Sequence, residues 1–527
     1  MKNFTTWKAR LAGAGLLALV AAGAARAQSP YVGESLNYAR LQFGGPARTQ
    51  GIAGANVALG ADFGNLSSNP AGLGLFQRSE AHFSPGVGIG SADATGLTAG
   101  RNSFHVGSLG GVFTKRLADD DNGSDWRGGS FALGFSRVAD FNSAFQYAGT
   151  VADNRSFFQY LREPGRNAFG TAGYQTRVNN ILEQYGTATR PAVYTNIDGL
   201  AFGAFLSDIR STRARPGQPA TDTVFTLART GPLTQSETVT TAGSVSQLDF
   251  GYGGSYKDRL FVGGAIGIVS SNRRQVRAFG EADAGGRSFV INDETRTSGT
   301  GFNARIGAIY RLNDVLRLGA SVQTPTYLQL DDTYNTSITS TFTPPLQLRD
   351  GTQFAGTSVK TPPGEYAYAL STPFRASGGV ALTAGKQGFL TADVEYVGYG
   401  QSRLSGLPDN ANGDNNTFSA ENQGIKNAFR NTLNVRLGAE ARLAVFRLRA
   451  GYARYGDPNA GSGPNRSQQF YTVGLGLRQQ NFFLDVAGVY TAYRQLYSPY
   501  TLVGGRQPVV DIANTRTTTT VTAGFLF

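Results

Sequence analysis

Few residues in this chain are able to do chemistry, and none are clustered in sequence. The 527 residues include no cysteine and two histidines. That excludes disulfide staples, thiol catalysis and cysteine-ligated metals, and leaves little for a histidine metal site. His82 and His105 fall on strand-like stretches with no triad assembled around them. Asp119-Asp120-Asp121-Asn122-Gly123 lacks the EF-hand spacing and reads as a solvated turn. The run Gly86-x-Gly88-x-Gly90 lies inside a strand pattern rather than between a strand and a helix, so it is no dinucleotide fingerprint. No enzyme and no bound cofactor is expected. Lys and Arg exceed Asp and Glu, 48 to 36, but they are dispersed, which leaves no nucleic-acid footprint. Outward loop arginines suit anionic lipid headgroups instead.

The constellation that remains is a row of arginines facing one way along alternating segments. Arg305, Arg375, Arg436 and Arg449 are candidate anchors for a ligand carboxylate, with Arg442 and Arg447 beside them. Asp393, Glu395, Glu440 and Asp485 share their face, so a mutual ion-pair network bracing a wall is the competing reading.

The elements that position these residues have a period of two. In 432–443, Leu433, Val435, Leu437, Ala439, Ala441 and Leu443 oppose Thr432, Asn434, Arg436, Gly438, Glu440 and Arg442. Similar alternation recurs in 302–310, 390–396 and 446–452. Gly is 70 of 527, Tyr 23, Phe 34, and charged residues are 16%, a balance that favours long antiparallel strands. Fourteen strands are expected: 79–92, 102–115, 127–141, 243–257, 259–272, 298–312, 315–330, 365–384, 387–403, 430–443, 445–456, 467–479, 481–496 and 514–527. Short turns alternate with long loops, which fits an all-β, fourteen-stranded antiparallel transmembrane barrel with apolar side chains turned to lipid. A soluble sandwich would turn the same faces the other way.

Residues 1–27 read as a signal peptide: Lys2, Lys8 and Arg10, an apolar run, then Ala25-Arg26-Ala27. Residues 28–78 are too few to hold a core alone and need a lumen to pack into; they are expected to form a hatch inside a barrel at 79–527. The loop 142–242 carries two short amphipathic patterns. Phe157, Phe158, Tyr160 and Leu161 are candidate ligand-capture residues on the outer rim, and Val178, Ile181, Leu182 and Tyr185 form the second pattern. Mutual packing that orders the loop is the alternative for both. The chain closes on a strand with Val521, Ala523, Phe525 and Phe527 on one face; a terminal aromatic of this kind resembles the signal read by the barrel-assembly machinery.

The hatch segment resembles that of the long-chain fatty acid transporter family, the FadL/TodX type. The resemblance rests on Ala47-Arg48, Gly51-x-x-Gly54-Ala55, Val57-Ala58-Leu59, Asp62 and above all Asn69-Pro70-Ala71-Gly72-Leu73. Segments 316–327, 372–381, 388–396, 436–443 and 448–452 are similar to the family as well; over 142–242 the resemblance is weak. The resemblance implies passive uptake of hydrophobic molecules, fatty acids or aromatic hydrocarbons, across a bacterial outer membrane. The implied partners are a hydrophobic small molecule, outer-membrane lipid and, during biogenesis, the assembly machinery; the protein is expected to be a monomer. A structural or adhesive barrel whose long loop binds a partner is the other function left open.

Overall fold

The structure is a computed structural model that describes residues 30–118, 123–163, 170–186, 190–211, 222–348, 350–407, 418–461, 463–502 and 505–527. The expected leader at 1–27 and the acidic turn at 119–122 lie outside the described residues.

The strands, in chain order, are β1 Glu80–Ala94, β2 Leu97–Arg116, β3 Trp126–Asp140, β4 Ser143–Val151, β5 Ser207–Ser211, β6 Asp222–Thr226, β7 Leu233–Tyr256, β8 Leu260–Ala282, β9 Arg287–Arg311, β10 Leu316–Gln323 and β11 Tyr327–Gln347. They continue with β12 Gln353–Lys360, β13 Gly364–Ser371, β14 Arg375–Ala384, β15 Gly388–Val397, β16 Arg403–Gly406, β17 Thr432–Leu443, β18 Phe446–Tyr455, β19 Gln468–Arg478, β20 Phe482–Tyr497 and β21 Val510–Leu526. Four wall strands are interrupted: β3 runs on into β4, β10 into β11, β12 into β13 and then β14, and β15 into β16. Counted through those breaks, the wall has fourteen antiparallel strands. It closes where Glu80–Ala94 pairs with Leu526–Ile512. Among the described residues no helix is long and apolar enough to cross a membrane.

The faces are inverted relative to a soluble core. On β17, Leu433, Leu437 and Leu443 are exposed at 58%, 45% and 56%, while Asn434, Arg436 and Glu440 are buried. Phe302, Ile306, Leu390, Val473 and Phe525 point outward in the same way. Only a surrounding apolar solvent makes this arrangement favourable, and a closed ladder satisfies the backbone there. The two-residue turn Thr95-Gly96, with φ +53 and +80, gives the left-handed pair that a tight hairpin needs.

Two stretches expected to be loops are strand. Between 273 and 297, β8 and β9 continue as one paired hairpin, joined at 283–286. Between 331 and 364, β11 pairs with β9, β12 and β13. Likewise 143–151 and 233–241, inside the expected loop 142–242, pair as β4 with β7. In these extensions the buried face mixes apolar residues such as Phe279, Phe289 and Ile338 with charged ones such as Arg273 and Glu281, so alternation fades although the ladder goes on.

The N-terminal segment lies in the lumen. It comprises helices α1 Pro30–Ala39, α2 Ala47–Gly51 and α3 Asn65–Ser68 and a 3-10 turn Pro70–Leu75. Phe63, Leu66, Leu73 and Phe76 pack with Val112, Ala132 and Ala265 of the wall. The long-loop rim carries α4 Phe157–Arg162, α5 Gly170–Tyr185, α6 Ile197–Gly203 and α7 Ser419–Ala428.

The inverted face gives a direct test. Leu437→Arg places a cation in the middle of an outward row, and should destabilise the folded barrel in lipid by about 2–4 kcal/mol. Urea unfolding in liposomes, followed by heat-modifiable migration, measures it. An unchanged midpoint is the result expected of a water-exposed leucine.

Candidate functional site

The hatch motif is a junction between lumen and wall. Asn69 is fully buried. Its Oδ1 accepts from the Ala71 N–H at 3.2 Å, capping the turn that Pro70 begins. Its Nδ2 donates to the Val57 carbonyl at 2.7 Å and to the Ala308 carbonyl of β9 at 3.3 Å. One side chain therefore ties two hatch segments and the barrel wall. The wall makes room for it: a Cβ on Gly307 would collide with Asn69 Oδ1, and one on Gly263 with the Pro70 carbonyl. Ala71 is buried against Phe261 and Ile309.

Arg48, Gly51 and Gly54 lie on the opposite side of the hatch. Arg48 Nη1 donates to the Ala61 carbonyl at 2.5 Å and lies 3.4 Å from Asp62, while its Nε is 3.8 Å from Glu440 of β17. The Gly51 carbonyl accepts from Thr472 of β19 at 2.9 Å. Gly54 has φ +71, and a Cβ there would strike Phe43. Val57 N–H to Asp393 at 3.0 Å and Ser321 to the Ser68 carbonyl at 2.8 Å add two more wall contacts.

The four candidate carboxylate anchors all hold acids of the wall. Arg305 pairs with Asp249 at 2.8 Å, and Arg375 and Arg436 both pair with Glu395, at 2.9 and 2.8 Å. Arg449 pairs with Glu440 at 2.8 Å and Asp485 at 2.6 Å. All four are buried. Arg305, Arg375 and Arg436 converge on one small polar cavity of about 80 Å³ between hatch and wall, which Asn56, Gln323 and Glu395 also line; Arg449 is not part of it. Both side-chain polar atoms of Asn56 are without a hydrogen-bond partner, so the cavity is polar enough to hold water. The arrangement is that of a bracing network.

The candidate capture residues do not present an open surface. Phe157, Phe158 and Leu161 are buried, packing with Phe279, Phe289, Ile338, Phe342 and Tyr500, and Tyr160 is half-buried against the same cluster. Their spacing of three and four gave a helix, as expected, but its apolar face clamps the long loop to the β8–β9 hairpin. In the second pattern Val178 and Ile181 are buried, while Leu182 and Tyr185 remain exposed.

Two features had no signal in any single strand. The first is α1. It fills an apolar pocket in the lumen, with Val32 and Tyr38 against Leu328, Leu330, Tyr368, Leu370, Tyr399, Phe418 at the start of α7 and Ile425 within it. Its Glu34 accepts from the Tyr368 hydroxyl at 3.1 Å and lies 3.5 Å from Arg273. Burial pushes the Glu34 carboxyl up from its ordinary range, opposed by the Arg273 charge. Arg375 donates to the Ala39 carbonyl at the end of the same helix.

The second is a break in the wall. The β2–β3 ladder runs from Arg116↔Gly128 to Ser108↔Ser136 and stops. Beyond it, 97–106 pairs with β1 alone. On the other edge β3 pairs with β7, with an irregularity between Arg137 and Ala139. From inside, the hatch meets this edge: Gln42 N–H donates to the Val138 carbonyl at 2.8 Å. Val138, Ala139, Phe141 and Leu41 belong to the same apolar cluster as α1, so apolar contacts run unbroken from the lumen pocket to the break. Among the described residues no group of three or more His, Cys, Asp or Glu could hold a metal. His82 bonds to Ser108 at 3.0 Å.

Asn69→Ala should weaken hatch docking by about 1–3 kcal/mol, because two buried carbonyls lose their donor. Faster amide exchange in 56–75 with unchanged heat-modifiable migration is the expected readout; unchanged exchange would reduce the motif to a turn. Glu395→Ala leaves two buried guanidinium groups without their shared acid and should cost about 3–5 kcal/mol, read as a lower urea midpoint. A midpoint equal to wild type would contradict the bracing role.

A scan against protein-family models finds no match, and a search of curated proteins finds none. Solved structures do match. The chain is similar to a Pseudomonas aeruginosa FadL homologue, with 13% identity, a TM-score of 0.52, and coverage of 92% of this chain and 98% of that one. Also similar are the Ralstonia pickettii toluene transporter TbuX, at 15% identity and TM-score 0.49, and the Pseudomonas putida toluene transporter TodX, at 12% and 0.49. In both comparisons 92% of this chain and 99% of the other are covered. The fourteen-stranded barrel is thus a fold this chain shares with the FadL homologue, and the resemblance carried by its hatch motif holds at the level of the fold.

Proposed function

We propose that this protein is a passive outer-membrane channel for hydrophobic compounds, with the short-turn rim in the periplasm. The observation that carries the reading is the continuous apolar cluster from the α1 pocket to the β2–β3 break. An unpaired strand edge facing lipid is costly, and irregular backbone at membrane depth is tolerated where it lines a cavity or is buried in protein. Here the break is backed by the hatch and adjoins a pocket suited to an apolar guest. The fold shared with the FadL homologue supports the same reading.

In this account a hydrophobic molecule enters at the long-loop rim, displaces α1 from its pocket and leaves through the break. Long-chain fatty acids fall within the class. Because the four expected anchors are paired with wall acids, an acid ligand would meet Arg273 and Tyr368, the groups that hold Glu34 of the displaceable helix. Asn69, Pro70, Arg48 and Gly54 fix the hatch beneath. Phe157, Phe158, Tyr160 and Leu161 shape the rim through which the ligand comes. No chemistry is performed on the ligand.

Accumulation of a fluorescent hydrophobic probe, normalised to folded barrel, tests this in cells with and without the protein. Uptake above the empty-cell rate is expected. Deleting 30–39 should raise the affinity of purified protein for the probe, since the pocket then loses its internal occupant. Uptake equal to that of empty cells would favour the structural or adhesive barrel.

A further inference from the structure

The glycine run of β1 belongs to the wall break. We propose that Arg516 of β21 is a staple that reaches across Gly88 and holds the two unpaired strand edges together, so that its release opens the wall; the inference rests on the lateral route proposed above. Gly86, Gly88 and Gly90 are the inward positions of their stretch of β1, and β1 separates β21 from β2. With no side chains there, the Arg516 guanidinium can lie over β1, and a Cβ on Gly88 would occupy its place. Beyond β1, its Nη2 donates to Ser103 Oγ of β2 at 2.7 Å and meets Asp140 of β3 at 2.5 Å. Its Nη1 donates to the Asn142 carbonyl, just past β3, at 2.8 Å.

Both edges of the break are therefore bonded to one cation carried by a third strand. Weaker links accompany it. Arg101 Nε to Asn142 Oδ1 is 3.3 Å, Gln146 Nε2 to the Thr98 carbonyl 3.0 Å, and the Ala148 N–H to Thr95 Oγ1 3.3 Å. Above them Phe145 and Tyr147 of β4 pack on Ala92 and Ala94. Where the backbone ladder is missing, side chains replace it, and Arg516 supplies the charged bonds, the stronger kind. Asp140 is prepared for the role: it pairs with Arg137 at 3.1 Å and accepts from the Asn142 N–H at 2.7 Å. A device made of a few hydrogen bonds is a reversible closure; a continuous ladder would not be.

The test uses the full-length protein with Arg516→Ala, Arg516→Lys and Gly88→Val, each checked for folding by heat-modifiable migration. Arg516→Ala should raise uptake of a hydrophobic probe about tenfold, as loss of charge-assisted bonds predicts. Gly88→Val should do the same with Arg516 still present, because it blocks the crossing, and Arg516→Lys should be intermediate. Amide exchange should quicken in 101–107 and 137–142 while 128–136 stays protected. That readout needs no transport, so it separates a failed staple from a failed channel. Unchanged exchange in both Arg516→Ala and Gly88→Val would overturn the staple. Faster exchange with lower uptake would overturn its role as a closure.

Discussion

Every peptide group at membrane depth must find a partner inside the protein, and this requirement shapes the whole molecule. It closes the wall between β1 and β21, sends leucines and phenylalanines outward, and leaves the lumen to arginines and acids that pair with one another. It also makes the β2–β3 break the most informative place in the structure. A broken ladder that faced lipid unsupported would not persist. This one is backed by Gln42 of the hatch, bridged by Arg516 and overlain by β4.

At two points the hatch depends on the wall having no side chain. Gly307 admits Asn69 and Gly263 admits Pro70, so hatch backbone lies directly on strand backbone. The resulting contacts are specific but modest hydrogen bonds, each contributing about 1 kcal/mol. A plug assembled from many such bonds can hold a defined position and still move in parts. The α1 helix differs, since its hold is apolar packing plus the Glu34–Arg273–Tyr368 contact. Such a hold is one that a hydrophobic guest competes with on equal terms.

The strands within the apolar belt were legible because lipid outside and polar lumen inside impose a strict period of two. Leu433 to Leu443 and Phe302 to Tyr310 show it plainly. The long β8–β9 hairpin was not legible beyond Asn272 and Ser298, because its buried face mixes Phe279, Phe289 and Ile291 with Arg273 and Glu281, so no apolar row marks it. Asn69 and Arg48 could be singled out by motif, but their partners Ala308 and Glu440 are distant in sequence. The arginine row was visible, and its role as braces emerged only once register set Arg305 beside Asp249 and Arg436 beside Glu395. Phe157, Phe158 and Leu161 gave the right helix, while their burial depended on a hairpin more than a hundred residues away. Nothing local marks Arg516, a lone cation among threonines. Its meaning lies in three strands and a missing side chain.

A lateral route leading from the apolar lumen pocket would be seen by photo-crosslinking. A photoactivatable hydrophobic probe would be added to the folded protein in liposomes, and its adducts mapped by mass spectrometry. Adducts are expected at Leu330 and Tyr368 in the pocket and at Leu41 and Val138 beside the break. Adducts confined to outward residues such as Leu437 and Val473 would contradict that route, because they would show a probe that dissolves in the membrane around the barrel and never enters.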